Sequence, residues 1–237
     1  MSREQDIRTE LLLGAEGLAK LYSASVAVVG LGGVGGYALE ALVRAGVGRL
    51  TIVDFDVVQL SNINRQLIAD HQSVGLAKTE LFQRRIREIN PDAQVNVCNV
   101  FINKENCAEV LSGCGYLLDA IDCLEAKTDL LEFAFLNHIQ AVTVFGAGRR
   151  LDPFRIQTGD ISKTHGCPLA RRTRKALRDR GISSGIKAVF STEEPLAAIR
   201  EAAPSTSRQP IGSISYMPAI MGLRAAAELI RIIIRDE

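Results

Sequence analysis

The stretch "GLGGVGG" at residues 30–36 limits the possible folds more than any other part of this chain. Gly30, Gly32 and Gly35 make G-x-G-x-x-G, with Gly33 between them. The motif follows the apolar run SVAVV (25–29) and opens a helical pattern at 35–46. Small residues at this spacing let the chain turn sharply, bring its backbone against a phosphate, and seat a helix close to the strand before it. The helix start then offers free N–H groups and a positive dipole end to an anion. A plainer reading gives the glycines a tight turn and nothing more. The next strand argues against that, because LTIVD (50–54) ends in Asp54, placed where a carboxylate accepts hydrogen bonds from ribose hydroxyls.

Strand and helix patterns alternate onward from there. Strands are expected at 95–100, 116–119 and 140–145, and helices near 76–89, 104–112 and 125–138. Such alternation implies right-handed crossovers and a sheet covered on both faces. The fold class expected is α/β, a Rossmann-like, doubly wound, mostly parallel sheet. After residue 150 the pattern shifts to a strand at 154–160, a basic helix at 169–180 and a strand at 187–191. Residues 193–212 carry Pro195, Pro204 and Pro210 and read as a mobile loop, with room for a short helix at 196–202, before a final helix at 217–234. The chain thus reads as one domain, 1–237, with a nucleotide-binding part (1–150) and a substrate-side extension (151–237).

Composition excludes several classes. Hydrophobic residues at 47% and charged residues at 23% suit a globular domain with ample core. A net charge of +1 gives no global pull toward nucleic acid, so any such contact needs a local patch. The N-terminus MSREQDIRTE lacks the apolar core of a signal peptide, and the most apolar stretch, near 218–237, is broken by Arg224, Glu228 and Arg231. No membrane association is expected, and a cytoplasmic location is. Five cysteines without a CxxC pair argue against both a disulfide framework and a four-cysteine zinc site.

The segment after Asp54, "VDFDVVQLSNINRQ" (53–66), argues against the common alternative, a nicotinamide dinucleotide. Asn62, Arg65 and, in "GLAKTE", Lys78 add an amide and two cations, which suit a polyphosphate whose charge changes during nucleotidyl transfer. Each alone reads better as solvated surface; together beside a phosphate loop they do not. In "LLDAIDC" (117–123), Asp119 closes a strand and Asp122 follows at the edge where ligands bind. One carboxylate there is enough for Mg²⁺ bridged to substrate phosphates, while a helix N-cap is an equally good reading of Asp122.

In this order, "RTELLLG", "GLGGVGG", "DFDVVQLSNINRQ", "GLAKTE" and "DAID" resemble the ubiquitin-activating-enzyme-like adenylyltransferases, the ThiF/MoeB/HesA superfamily, over roughly residues 7–160. That resemblance implies activation of a carboxylate by transfer of AMP from Mg·ATP. Asp54 would bind the ribose, with Asp56 also in the nucleotide site, and Asn62, Arg65 and Lys78 would contact the phosphates. Asp122 would hold the metal, and Arg8 would reach the phosphates from the partner subunit of a homodimer. Arg8, Arg65, Lys78 and Asp122 form the catalytic set.

"GDISKTHGCPLARRTRKALRDRGI" and "FSTEEP" resemble one branch, the tRNA threonylcarbamoyladenosine dehydratases, over nearly the whole chain. The resemblance implies that tRNA is the substrate and that its own threonyl carboxylate is adenylated and closed into a ring. No zinc is expected, since carrier-activating relatives hold theirs with two CxxC pairs. A cysteine desulfurase or sulfur-acceptor system is a further partner the branch admits. The helix at 169–180 supports it physically: Leu169, Thr173, Ala176 and Leu177 make one packing face, and Arg171, Arg172, Arg174, Lys175 and Arg178 are left to meet RNA phosphates. Cys167 beside His165 reads as an incidental thiol and not as an acyl acceptor. Two alternatives stand: an activator of a ubiquitin-like sulfur carrier, and a non-catalytic nucleotide sensor. The sensor has no need of the full set of transfer residues.

Overall fold

A computed structural model of the chain describes residues 3–197 and 211–235. Strands β1 (Ser25–Val29), β2 (Arg49–Val53), β3 (Gln94–Cys98), β4 (Tyr116–Asp119), β5 (Gln140–Val144), β6 (Ile156–Asp160) and β7 (Lys187–Ser191) form one sheet. Their order is β3-β2-β1-β4-β5-β7-β6, and every pairing is parallel except β6 with β7. Order therefore reverses between β1 and β4, the place where a crevice opens at the carboxyl edge of such a sheet.

Helices cover both faces. Strand β1 shows why its sequence is apolar throughout: Val26 and Val28 face one core, and Ala27 and Val29 the other. On the first face lie α1 (Ile7–Ser23), α2 (Gly35–Ala45), α3 (Lys78–Ile89) and α7 (Tyr216–Arg235), with Leu39, Phe82 and Met221 fully buried. On the second lie α4 (Cys107–Val110), α5 (Leu124–Leu136) and α6 (Pro168–Asp179).

Most expected elements appear within two residues of their reading. Helix α4 is shorter than the 104–112 expected, because Asn103 and Asn106 fold the chain before it into side-chain-capped turns. The strand expected from 154 begins at Ile156, since Pro153–Arg155 makes a 3₁₀ turn capped by Asp152. Helix α1 was not expected. Gly14 interrupts it at φ 75, so the apolar periodicity of its two halves is out of phase. Residues 198–210, most of the expected loop and short helix, lie outside the described residues.

Between α2 and α3, Glu40 accepts paired hydrogen bonds from Arg85 (2.8 and 3.2 Å) and one from Arg44 (2.8 Å). Burial alone would raise the Glu40 carboxyl, but the two guanidinium groups outweigh it and hold it below its ordinary value of 4.5. A depressed carboxyl contributes stability that is present above that value and is lost as the pH falls through the folded one. Glu40→Gln should therefore lower stability at pH 7, and its deficit against the parent chain should shrink as urea unfolding is repeated at progressively acid pH.

Candidate active site

The cleft at the β1/β4 switch point encloses about 620 Å³. One wall is the glycine turn. Gly30 sits at φ 88, and a Cβ on Gly35 would lie 1.7 Å from the Gly30 carbonyl oxygen, so no other residue can close this turn. A Cβ on Gly32 would meet nothing closer than the Gln66 amide at 3.8 Å, which leaves the backbone there open to a phosphate.

The second wall is the segment after β2. Asp54 is buried, and its two oxygens accept from the Leu31 amide (2.6 Å) and the Asp56 amide (2.9 Å). One carboxylate thus fixes both the glycine turn and the start of its own loop. Lys78, at the first position of α3, is 4% exposed. A cation is disfavoured both by burial and by the positive end of a helix dipole. Asp56 at 2.8 Å and Asp54 at 3.9 Å offset both penalties. Buried Asn62 accepts from the Gln59 amide and holds the 3₁₀ turn Leu60–Asn62, while Arg65 Nη1 donates to Ser61 O (2.9 Å) and Asn64 Oδ1 (2.8 Å). The structure brings Gly30, Gly32, Gly33, Asp54, Asp56, Asn62, Arg65, Lys78 and Asp122 to one cleft; Gly35 lies behind it as the packing glycine.

The third wall is the loop after β4. Asp122 is exposed and lines the cleft, and its carboxylate has no partner among the described residues. The capping reading fails: Cys123 occupies the N-cap of α5, and no side chain caps it. Asp119, by contrast, is wholly buried and bonds to Lys127 Nζ and Thr143 Oγ1, each at 2.6 Å, and to the Ile121 amide at 3.2 Å. It fixes the loop that carries Asp122. Lys127 and Thr143 escaped the sequence reading because only the fold places α5 and β5 beside the end of β4. Gln66, present in the motif without an assigned role, is also buried at the cleft with Oε1 unpartnered among the described residues, and Phe55, Phe101, Cys123, Gly146–Gly148, Ser213 and Pro218 also line it.

Two groups of expected residues lie elsewhere. Arg8 is exposed on α1 and does not line the cleft, with Leu11 and Leu12 each 82% exposed beside it. On α6 the packing face is Ala170, Thr173 and Leu177, while Leu169 and Ala176 are only half-buried. Arg171, Arg172, Lys175 and Arg178 point to solvent. Arg174 is turned inward onto the Thr164 carbonyl and hydroxyl, so its Nη1 is engaged within the fold and the side chain is half-buried. Among the described residues no cluster of three His, Cys, Asp or Glu could hold a metal by itself, and no helix is long and apolar enough to cross a membrane. All five cysteines are free; burial pushes the Cys107 thiol up to about 11.

Comparison with known proteins gives a consistent picture. The profile of the ThiF family matches residues 4–237. A tRNA threonylcarbamoyladenosine dehydratase of Bacillus subtilis is 37% identical over 97% of this chain and 94% of its own length. The crystal structure of the Escherichia coli tRNA N6-threonylcarbamoyladenosine dehydratase in complex with AMP superposes with a TM-score of 0.90 at 36% identity, over 98% of this chain and 94% of that one. The same enzyme in complex with ATP gives 0.87 at 35% identity over the same shares.

Removing one partner of the buried Asp119–Lys127 pair strands the other charge, at a cost of roughly 3–5 kcal/mol. Lys127→Met should lower the unfolding free energy by about that much in urea titrations. Asp119→Leu combined with Lys127→Met should recover part of it, because no charge is then left alone. Equal losses in the single and double variants would mean that packing, and not charge, sets the cost.

Proposed function

The chain belongs to the ThiF family, and on that premise we propose that it is an ATP-dependent tRNA threonylcarbamoyladenosine dehydratase. In the reaction, the threonyl carboxylate of the modified nucleoside attacks the α-phosphorus of ATP and pyrophosphate leaves. A group within the same side chain then attacks the acyl-adenylate, and AMP departs with the carboxylate oxygen. Overall the nucleoside loses one water. No protein nucleophile is needed, and Cys123, the one thiol in the described lining, has no step to perform.

The observation that carries this reading is the charge of the cleft. Among the described residues its lining holds three carboxylates, Asp54, Asp56 and Asp122, against two cations, Arg65 and Lys78, a net charge of −1. A triphosphate and a second anionic carboxylate in such a cleft call for compensating positive charge beyond these two side chains. Cations that arrive with the substrate, or from a second copy of the chain, would supply it. Asp122 has the hard oxygen donors and the free valence to hold Mg²⁺ together with substrate phosphates, and the ion would disperse charge at the reacting phosphate. Arg8 of a second copy would supply a further cation, in a homodimer that covers Leu11 and Leu12.

Within the cleft, Asp54 has lone pairs left for a ribose hydroxyl, and the glycine turn presents backbone N–H groups to phosphate. Arg65 and Lys78 would meet the polyphosphate. The part of the chain after residue 150 would face the tRNA, with Arg171, Arg172, Lys175 and Arg178 as phosphate contacts and Arg174 contributing less. A tRNA substrate suits the cytoplasm, and a cysteine desulfurase system remains a candidate partner. The alternative, activation of a ubiquitin-like sulfur carrier, lacks the two CxxC pairs that such relatives use for zinc.

Incubation with Mg·ATP and tRNA bearing threonylcarbamoyladenosine, followed by nucleoside mass analysis, should register the loss of water and the appearance of AMP. Asp122→Asn and Arg65→Ala should each lower the rate about a hundredfold or more, some 3 kcal/mol of transition-state stabilisation, with unfolding curves unchanged. Dehydration at near-parental rates in either soluble variant would remove the adenylation mechanism.

The surface of α6 gives a separate test. Reversing Arg171, Arg172 and Lys175 should weaken tRNA binding and reduce the log–log salt slope by roughly one unit per lost phosphate contact. ATP affinity should stay constant, because none of the three lines the cleft. Equal slopes before and after reversal would retire this helix as an RNA contact.

A further inference from the structure

Phe154 is 96% exposed, more than any other large apolar side chain described. A lone exposed hydrophobe is ordinary. This one has company and sits on a backbone turn that is fixed. Pro153 and the Asp152 carboxylate, which accepts from the Phe154 amide at 2.9 Å, set its turn. On the next residue, the Arg155 carbonyl accepts from the Thr192 amide at 3.0 Å and ties the turn to the end of β7. Leu151 (49%), Tyr216 (39%) and Ile211 (65%) lie around the same rim. Tyr216 donates to the Leu151 carbonyl, and Ile211 packs against Gly148, a cleft-lining residue.

Charges of both signs flank this aromatic patch. Arg149 is exposed, sits at φ 58, and has both backbone groups engaged, to Gly212 O and from Leu196 N, each at 2.8 Å. Its guanidinium has no partner among the described residues. The Asp152 and Glu193 carboxylates are occupied by the amides of Phe154, Leu151 and Asp152 and by Arg155, while Glu194 is exposed. Buried Arg150 donates to Gly146 O, Gly166 O and Glu193 O and so seats the start of the basic helix α6 against the same rim. The start of β6 pairs with the carboxyl end of β7, so Phe154 lies on the sheet edge at which the cleft opens. An exposed aromatic there, with an unpaired arginine five residues before it and the basic helix α6 tied to the same loop, has the parts that bind unpaired nucleotides: stacking for the base, cations for the backbone.

We propose that Phe154 is a stacking platform for an unpaired nucleobase next to the nucleoside that enters the cleft, and that Arg149 holds the intervening phosphate. This inference rests on the reading of tRNA as substrate. It adds a recognition surface outside the nucleotide cleft and apart from α6.

The chain contains no tryptophan, so Phe154→Trp places a single fluorescent reporter at the site, on a surface position that tolerates the exchange. Binding of tRNA carrying threonylcarbamoyladenosine should quench the emission of this introduced indole, and Mg·ATP alone should not. Phe154→Ala should raise the KM for tRNA about five- to a hundredfold with its salt slope unchanged, because stacking releases no counterions. Arg149→Ala should lower that slope by roughly one unit. Phe154→Trp, which keeps an aromatic face, should recover the binding that Phe154→Ala loses. If the parent chain binds and dehydrates tRNA while the indole stays unquenched and Phe154→Ala keeps its KM, the platform is disproved and the substrate reading stands. If the parent neither binds nor dehydrates tRNA, both fall. Indole emission that varies with protein concentration in the absence of RNA would make this patch a protein contact and overturn the proposal.

Discussion

A single carboxylate ties the nucleotide end of this molecule together. Asp54, at the end of β2, accepts the Leu31 amide at 2.6 Å and so pins the glycine turn that follows β1 to the neighbouring strand. A turn in which Gly35 approaches the Gly30 carbonyl too closely for any Cβ has no side chains to hold it, so its shape must be fixed from outside. Asp54 does this while buried, and a buried carboxylate needs compensation. Two backbone amides and the Lys78 ammonium supply it. Lys78 is in turn tolerable at the N-terminus of α3 only because Asp54 and Asp56 stand beside it. The phosphate loop, the acids and the lysine form one electrostatic unit, and altering one member unbalances the others.

The opposite wall repeats the device with different residues. Asp119 closes β4 and is compensated by Lys127 and Thr143, from the next helix and the next strand. The loop between these anchors leaves Asp122 outside the network, exposed and unpartnered among the described residues. Two aspartates three residues apart in sequence therefore have opposite environments. One is locked into the framework and the other is left open to the cleft.

This contrast marks what could be read from the sequence. The glycine turn, the acid after β2 and the amide and cations that follow were legible because each follows from local backbone demands at fixed spacing. The parallel sheet was legible because strands such as SVAVV must be apolar on both faces. The separation of Asp119 from Asp122 was not, since it depends on where α5 and β5 meet the strand end. Helix α1 was hidden by Gly14, which shifts the phase of its apolar pattern. On α6 a helical wheel gave the right side for the charges but could not reveal that Thr164 draws Arg174 inward. Phe154 drew no notice in sequence, because one aromatic in a loop has no period; only its exposure on a fixed turn sets it apart.

The acids of the cleft bear on catalysis as well as on stability. An enzyme accelerates a reaction only through contacts that are stronger in the transition state than in the ground state. A cleft crowded with unpaired cations would bind ATP tightly and gain little for the chemical step. Here Lys78 is already paired, and the described lining carries three carboxylates against two cations. The ground state of the nucleotide is therefore not held by an excess of fixed positive charge. Asp56 at 2.8 Å keeps the ammonium in place, so it needs no reorganisation when charge grows at a phosphate. The same carboxylates that make the site a poor trap for anions make it, in the proposed reaction, a rigid frame for the moment of transfer.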